Sequence, residues 1–183
     1  YELTGDVKKR QESEYWKSIE FSLFHKVAVS YYPSYVEEEA IHAVDETIPV
    51  KAITAYVYEE FLQNLNKDFA KREGLLFVGG FAHPPNADAV LWFAKEVFPK
   101  IREQIKVNFY IVGSKVTDEI KALEQPGNGI IVKGFVSEEE LADLYRNCRI
   151  VVVPLRYGAG VKGKVVEAIY NGAPIVTTSV GSE

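Results

Sequence analysis

The stretch VVVPLRYGAGVKGKVVEAIYNGAPIVTTSVG, residues 151–181, sets Arg156, Lys162, Lys164 and Glu167 among glycines, between two apolar runs that read as buried strands. Gly158, Gly160 and Gly163 keep the backbone open, and the three cations stand just ahead of a helix spelled KGKVVEAIYNG. A helix dipole favours anions at its N-terminus, so cations gathered there make sense if an anion sits between them. A charge-assisted hydrogen bond contributes roughly 1.5 to 3 kcal/mol, and a diphosphate accepts several. The competing reading is a mobile, solvated basic loop.

Glu167 lies one helical turn after Lys164, so both are expected on one side of the helix, with Asn171 continuing that side. Val165, Ala168 and Ile169 are expected to point towards the sheet. Glu167 then has two readings. It accepts two ribose hydroxyls, as acidic residues do in dinucleotide sites, or it complements the dipole and pairs with Lys164.

Two further loops carry candidates. In VGGFAHPPN, Gly79 and Gly80 follow a strand and let a ligand approach the backbone, while the helix start near Asn86 offers unpaired N–H groups to a phosphate. A tight strand-to-helix turn is the alternative, since the spacing of the GxGxxG fingerprint is absent. In KGFVSEEE a strand ends at Gly134 and Phe135, where a nucleobase can stack or bond to the backbone edge; the alternative is an ordinary loop with a packed Phe135. His83 reads as a loop residue, Cys148 as a buried small hydrophobe and Glu37 to Glu39 as a solvated helix face.

The elements that must position these residues alternate regularly from Leu75 onward. LLFV, VNFYIVG, GIIVKGFV, RIVVVP and PIVTTS read as strands; NADAVLWFAKEVFPKIREQ, TDEIKALEQ, SEEELADLYRNC and KGKVVEAIYNG read as the helices between them. Ser137 with Glu140 forms a capping box, and Gly172 suits a left-handed helix end. This order predicts an α/β fold, a Rossmann-like parallel sheet with helices on both faces. Ligands of such sheets sit beyond the C-terminal strand ends, where all the loops above fall.

Residues 1–55 differ. A helix is expected over residues 7–25 with Tyr15, Ile19 and Leu23 on one stripe, then strands KVAVS and VKAIT flanking a helix around SYVEEEAIHAV. Residues 56–73 read as a connector and 74–183 as the main domain.

Composition narrows the chemistry. The chain has 183 residues, 47% hydrophobic and 26% charged, with a net charge of -5, which argues against general nucleic-acid binding and, given one basic loop, for a small anionic ligand. One cysteine and three scattered histidines predict no disulfide and no metal site. The apolar runs are short, so a soluble, cytoplasmic protein is expected. With no methionine and a start in mid-pattern at Tyr1, the sequence reads as an excised piece of a longer protein.

On the motifs from LLFVGGFAHPPNADAVLWFAKEVFP through FYIVG to IIVKGFVSEEELADLYRNCRIVVVPLRYGAGVKGKVVEAIYNGAPIVTTSVGSE, the chain resembles the retaining nucleotide-sugar glycosyltransferases of family 4, glycosyl transferases group 1. These have the GT-B architecture of two Rossmann-like domains. The resemblance implies that residues 74–183 are a C-terminal donor domain cut short at its end, and residues 1–55 a remnant of the N-terminal, acceptor-side domain. It implies a donor that is a nucleoside-diphosphate sugar, with no other cofactor, and a saccharide or lipid-linked acceptor, in polysaccharide biosynthesis. It also implies a place at the inner face of the membrane, through parts outside this sequence. Lys164 and Arg156 become the catalytic charges and, with Lys162, the diphosphate ligands. Glu167 becomes the ribose ligand, Gly134, Phe135 and Val136 the base-contacting edge, and Gly80, Phe81, Gly158 and Gly160 further donor-binding positions. Two departures stand out: Ala159 occupies the place of a first glutamate, and FAHPPNAD that of an Arg and a Lys. Such a fragment is expected to be inactive alone. The competing functions are another GT-B enzyme, such as a sugar-nucleotide epimerase, and a non-enzymatic nucleotide-binding or interaction module.

Overall fold

A computed structural model describes residues 5–53, 56–58 and 68–182. The centre of the expected connector, residues 59–67, lies outside them. The chain divides into two units, residues 1–55 and 56–183.

The first unit runs α1 (Val7–Phe24), β1 (Ser30–Tyr32), α2 (Tyr35–His42) and β2 (Val50–Ala52), with the two strands paired in parallel. Ser34 starts α2 by accepting the N–H of Val36 at 3.1 Å. Its core is Phe24, Ile41, Ile48 and Val50. The helix α1 is where the periodicity puts it, but its buried face is not. Tyr15 and Leu23 are exposed, and Phe24 with Phe21 packs inward instead, because the small core lies under the last turn. The first strand is shifted from residues 26–30 to Ser30–Tyr32, since its one partner begins opposite Ser30 and is three residues long. Nor is the Glu37 to Glu39 run simply solvated: Glu38 accepts the N–H of Ala52 at 2.6 Å and so ties α2 to the end of β2.

The second unit is the expected α/β layer. It runs β3 (Leu75–Val78), α3 (Pro84–Trp92), a π turn (Phe93–Val97), α4 (Phe98–Gln104), β4 (Phe109–Val112), α5 (Asp118–Lys121) and β5 (Ile130–Gly134). Then follow α6 (Glu138–Asn147), β6 (Ile150–Val153), α7 (Gly163–Tyr170) and β7 (Ile175–Thr177). All five strands are parallel, in the order β5-β4-β3-β6-β7. Right-handed crossovers then place α3, α4 and α5 on one face and α6 and α7 on the other. Both faces are covered, which is why the strands read as unbroken apolar runs; Leu76, Phe77, Phe109, Ile111, Val151 and Val153 are fully buried.

Local chemistry explains the element ends. Pro99 has no N–H for the carbonyl one turn back, and the helix widens into the π turn just before it. Ser137 caps α6 by accepting the N–H of Glu140 at 3.2 Å, but the box is only half made, because the Glu140 carboxylate takes Lys133 at 2.7 Å. Helix α7 ends in a Schellman motif. Gly172, at φ +64°, donates to Ile169, and Ala173 donates back to Ala168, each at 2.9 Å. Among the described residues no helix is long and apolar enough to cross a membrane.

Candidate functional site

The strand order marks where a candidate site can lie. From β3 the chain moves to β4 and β5, then returns to the other side of β3 as β6. Loops leaving β3 and β6 therefore diverge to opposite faces and leave a crevice at the C-terminal strand ends. Gly79 to Asn86 forms one wall of it and Pro154 to Lys164 the other.

Lys164, in the first turn of α7, reaches across this crevice. Its Nζ donates to Asn86 Oδ1 at 2.6 Å and lies 5.2 Å above the ring of Phe77 on β3. Burial first, then the neighbouring Lys162 charge, lower its pKa from 10.5 to about 8, and Glu167 works in the opposite direction. A partly desolvated ammonium with a neutral partner is a cation still in want of an anion.

Lys162 stands near enough for its charge to be felt at Lys164, but Arg156 faces elsewhere, so the three do not all converge in this structure. Arg156 makes a two-pronged pair with Asp88 on α3, with Nε 2.8 Å from Oδ2, and lies over the ring of Trp92. Lys162 donates to the carbonyl of Gly160 within its own loop. Gly158 and Gly160 have φ of +129° and +77°, so the loop needs glycine there for its path as well as for access.

Glu167 accepts a hydrogen bond from the hydroxyl of Tyr145 at 3.0 Å. Tyr145, on α6, is almost fully buried, and both burial and the Glu167 charge raise its pKa, so it stays a donor. The intrahelical pair with Lys164 thus gives way to Tyr145 on one side and Asn86 on the other. One face assignment is overturned. Ile169 is 65% exposed, because it stands about 100° around the helix from Ala168, the residue at the centre of the buried face.

The β3 loop behaves as two parts. Gly79 is needed for close approach, since a Cβ there would stand 2.9 Å from the Asn86 amide. Gly80 is open apart from Ser114, whose Oγ would be 3.4 Å from such a Cβ. Phe81 is core: its ring is buried and stacks on Phe77, and its N–H goes to the carbonyl of Ser114 at 2.9 Å. Two strands away, about 10 Å at the usual spacing, β5 ends at Gly134, whose carbonyl accepts the Gly113 N–H at 2.8 Å. Phe135 beyond it is 82% exposed, which removes the packed-phenylalanine alternative, and Val136 turns back against the core.

Sequence reading missed Asp88, Tyr145 and the side-chain role of Asn86. Each is a polar group on an otherwise apolar helix face, and a buried hydroxyl or amide there needs a partner. Cys148 is buried and its thiol is pushed up to about 11 by that burial, so it is packing material. A broad groove at the opposite end of the sheet includes Arg102, but that guanidinium is spent on the carbonyls of Val107 and Gly127, each at 3.0 Å. Among the described residues, no group of His, Cys, Asp and Glu side chains suited to a metal ion occurs.

Comparison with known proteins places the chain in a family. A family model for glycosyl transferases group 1 matches residues 72–183. The chain is 33% identical over 135 residues to an uncharacterized 44.6 kDa protein in the cps region of Klebsiella pneumoniae, covering 70% of this chain and 33% of that protein. Among solved structures, a Staphylococcus aureus TarM mutant in complex with fondaparinux, alpha-GlcNAc-glycerol and UDP aligns with a TM-score of 0.68 at 17% identity, over 86% of this chain and 31% of that one. The pneumococcal O-GlcNAc transferase GtfA, in complex with UDP and GlcNAc, aligns at 0.63 and 21% identity, over 85% and 31%. Anabaena Alr3699/HepE, with UDP and glucose, aligns at 0.61 and 18%, over 85% and 45%. The chain thus spans about a third of the length of the curated relative it matches.

Proposed function

The chain belongs to the glycosyl transferases of group 1, and from that premise we propose that residues 74–183 bind a nucleoside-diphosphate sugar whose sugar passes to a hydroxyl acceptor with retention of configuration, as in family 4. Residues 1–55 are then part of the acceptor-side domain. The observation that carries this reading is Lys164, a cation held at the topological switch point by a neutral partner.

Lys164 takes the diphosphate, with Lys162 beside it and the backbone of Gly80, Gly158 and Gly160 around it. Glu167 keeps one carboxylate oxygen on Tyr145 and offers the other to the ribose. Exposed Phe135, with Gly134 and Val136, meets the base. The separation of β5 from β3, about 10 Å, suits a ligand with its base at one strand end and its diphosphate at the other. UDP in the three neighbours makes a UDP-sugar the first donor to try, and the cps-region relative supports a polysaccharide product.

In the reaction the bond from the anomeric carbon to the diphosphate oxygen breaks, and the acceptor oxygen takes its place on that carbon. The acceptor proton leaves with the diphosphate. Charge grows on the departing diphosphate, and preorganised cations at that point stabilise the transition state more than the ground state. Lys164 is the first of these cations; Arg156 is the second once it exchanges Asp88 for phosphate.

The test is a titration of the purified full-length protein with UDP, followed by product analysis with a UDP-sugar and a saccharide acceptor. Binding below millimolar ligand and release of UDP with a transferred sugar are the expected results. No binding at millimolar UDP sinks the assignment, and an epimerised sugar nucleotide with no transfer identifies a different GT-B reaction.

A further inference from the structure

Asn86 joins the two walls of the crevice. It stands in the first turn of α3, 7% exposed, and its amide is used at both ends. Nδ2 donates to the carbonyl of Gly80 at 2.9 Å, while Oδ1 accepts from Lys164 Nζ at 2.6 Å. This orientation is forced by its neighbours. Turning the amide over would set its oxygen against the Gly80 carbonyl and its NH2 against an ammonium, two repulsive contacts in place of two bonds. The missing side chain at Gly79 makes room for the amide in this place.

A half-buried ammonium needs acceptors, and the kind of acceptor decides what remains of its charge. A carboxylate would satisfy Nζ and cancel its field. An amide oxygen satisfies one of its three donors and leaves the net charge intact. The charged groups around it fit the same scheme: Lys162 repels the ammonium and Glu167 favours it, with the Glu167 carboxylate itself held by Tyr145. On α3 the one nearby carboxylate, Asp88, is taken up by Arg156. Phe77 closes the space below Nζ.

We propose that Asn86 is the positioning residue of this site, fixing the Lys164 ammonium at the strand ends through a neutral acceptor so that its charge stays available to the diphosphate. The inference rests on Lys164 as diphosphate ligand. It gives Asn86 a part in donor binding without contact to the donor.

The full-length protein and its Asn86→Ala and Asn86→Asp variants would be titrated with UDP from about pH 6 to about pH 10, a range that spans the lowered and the ordinary lysine values. The unaltered protein is expected to bind, with affinity falling as pH rises through about 8. In Asn86→Ala the ammonium loses its acceptor, so affinity at pH 7 drops about tenfold and the fall with pH begins lower. In Asn86→Asp affinity at pH 7 also drops about tenfold, because a carboxylate now competes with the diphosphate, but the fall with pH moves higher. Opposite shifts from two losses of similar size are the signature, and a residue that merely held the turn would move neither midpoint. Should Asn86→Ala fail to fold, the upward midpoint of Asn86→Asp decides alone. Binding by the unaltered protein with unmoved midpoints in the folded variants overturns the role of Asn86. No binding by the unaltered protein overturns the diphosphate reading and this inference with it.

Discussion

The two ends of the β6–α7 loop carry a cation each and treat it in opposite ways. Arg156, at the start, keeps its side chain 40% exposed and closes on a carboxylate, Asp88. Lys164, at the end, is drawn under the helix start and donates to the amide of Asn86. An exposed pair is screened and weak, so neutralising Arg156 does little more than tether the loop to α3. The half-buried ammonium bonds to a neutral partner, and its proton affinity falls through burial first and then the Lys162 charge, against the pull of Glu167. The difference separates a cation paired with a carboxylate from one bonded to a neutral amide, and it ranks Lys164 first as the proposed diphosphate ligand.

The sharpest test of that ranking is Lys164→Met. UDP affinity is expected to fall about tenfold or more, one decade per roughly 1.4 kcal/mol, by isothermal titration. Stability should move the other way. The lysine pKa is lower in the folded state, about 8 against 10.5, so below about pH 8 the fold carries the cost of a charged, partly desolvated group, and that cost fades as pH rises towards 10.5. The variant is therefore expected to melt a few degrees higher at pH 7, with the gap narrowing by pH 10. A variant that binds UDP normally, or melts lower at pH 7, would erase the contrast.

Glu167→Ala is expected to come next, with a loss of about fivefold or more for UDP and little change for inorganic pyrophosphate, which has no ribose. Equal losses for both would return Glu167 to the dipole role. Tyr145→Phe should give a weaker version, about twofold to threefold for UDP, because the carboxylate survives but is no longer held. Matching losses from Tyr145→Phe and Glu167→Ala would instead place the hydroxyl bond at the centre of ribose binding.

The fold was legible because it rests on periodicity. Apolar runs of strand length, glycines at their ends, Ser137 before α6 and Gly172 after α7 each carry a local physical signal that the structure repeats. Chemistry on the loops was legible only as composition. That Lys164 meets Asn86 and that Arg156 meets Asp88 depends on the return of β6 to the side of β3, a contact between residues 78 and 68 positions apart. No local pattern encodes such a pairing. Ile169 and Tyr15 went wrong for a related reason: an apolar side chain marks a helix, but the face it buries is chosen by what packs there.

The smallest effect belongs to the other end of the loop. Asp88→Asn removes the charge that holds Arg156 while keeping the side-chain shape. An exposed pair contributes roughly 0.2 to 1 kcal/mol, so freeing the guanidinium can raise UDP affinity by at most about fivefold. Arg156→Ala should lower it by a similar factor, and the double variant should match Arg156→Ala alone, because Asp88 acts only through Arg156. If all three bind UDP as the unaltered protein does, Arg156 is an anchor between its loop and α3. The diphosphate charge then falls to Lys164 and Lys162, and the contrast between the two ends of the loop becomes one between structure and function.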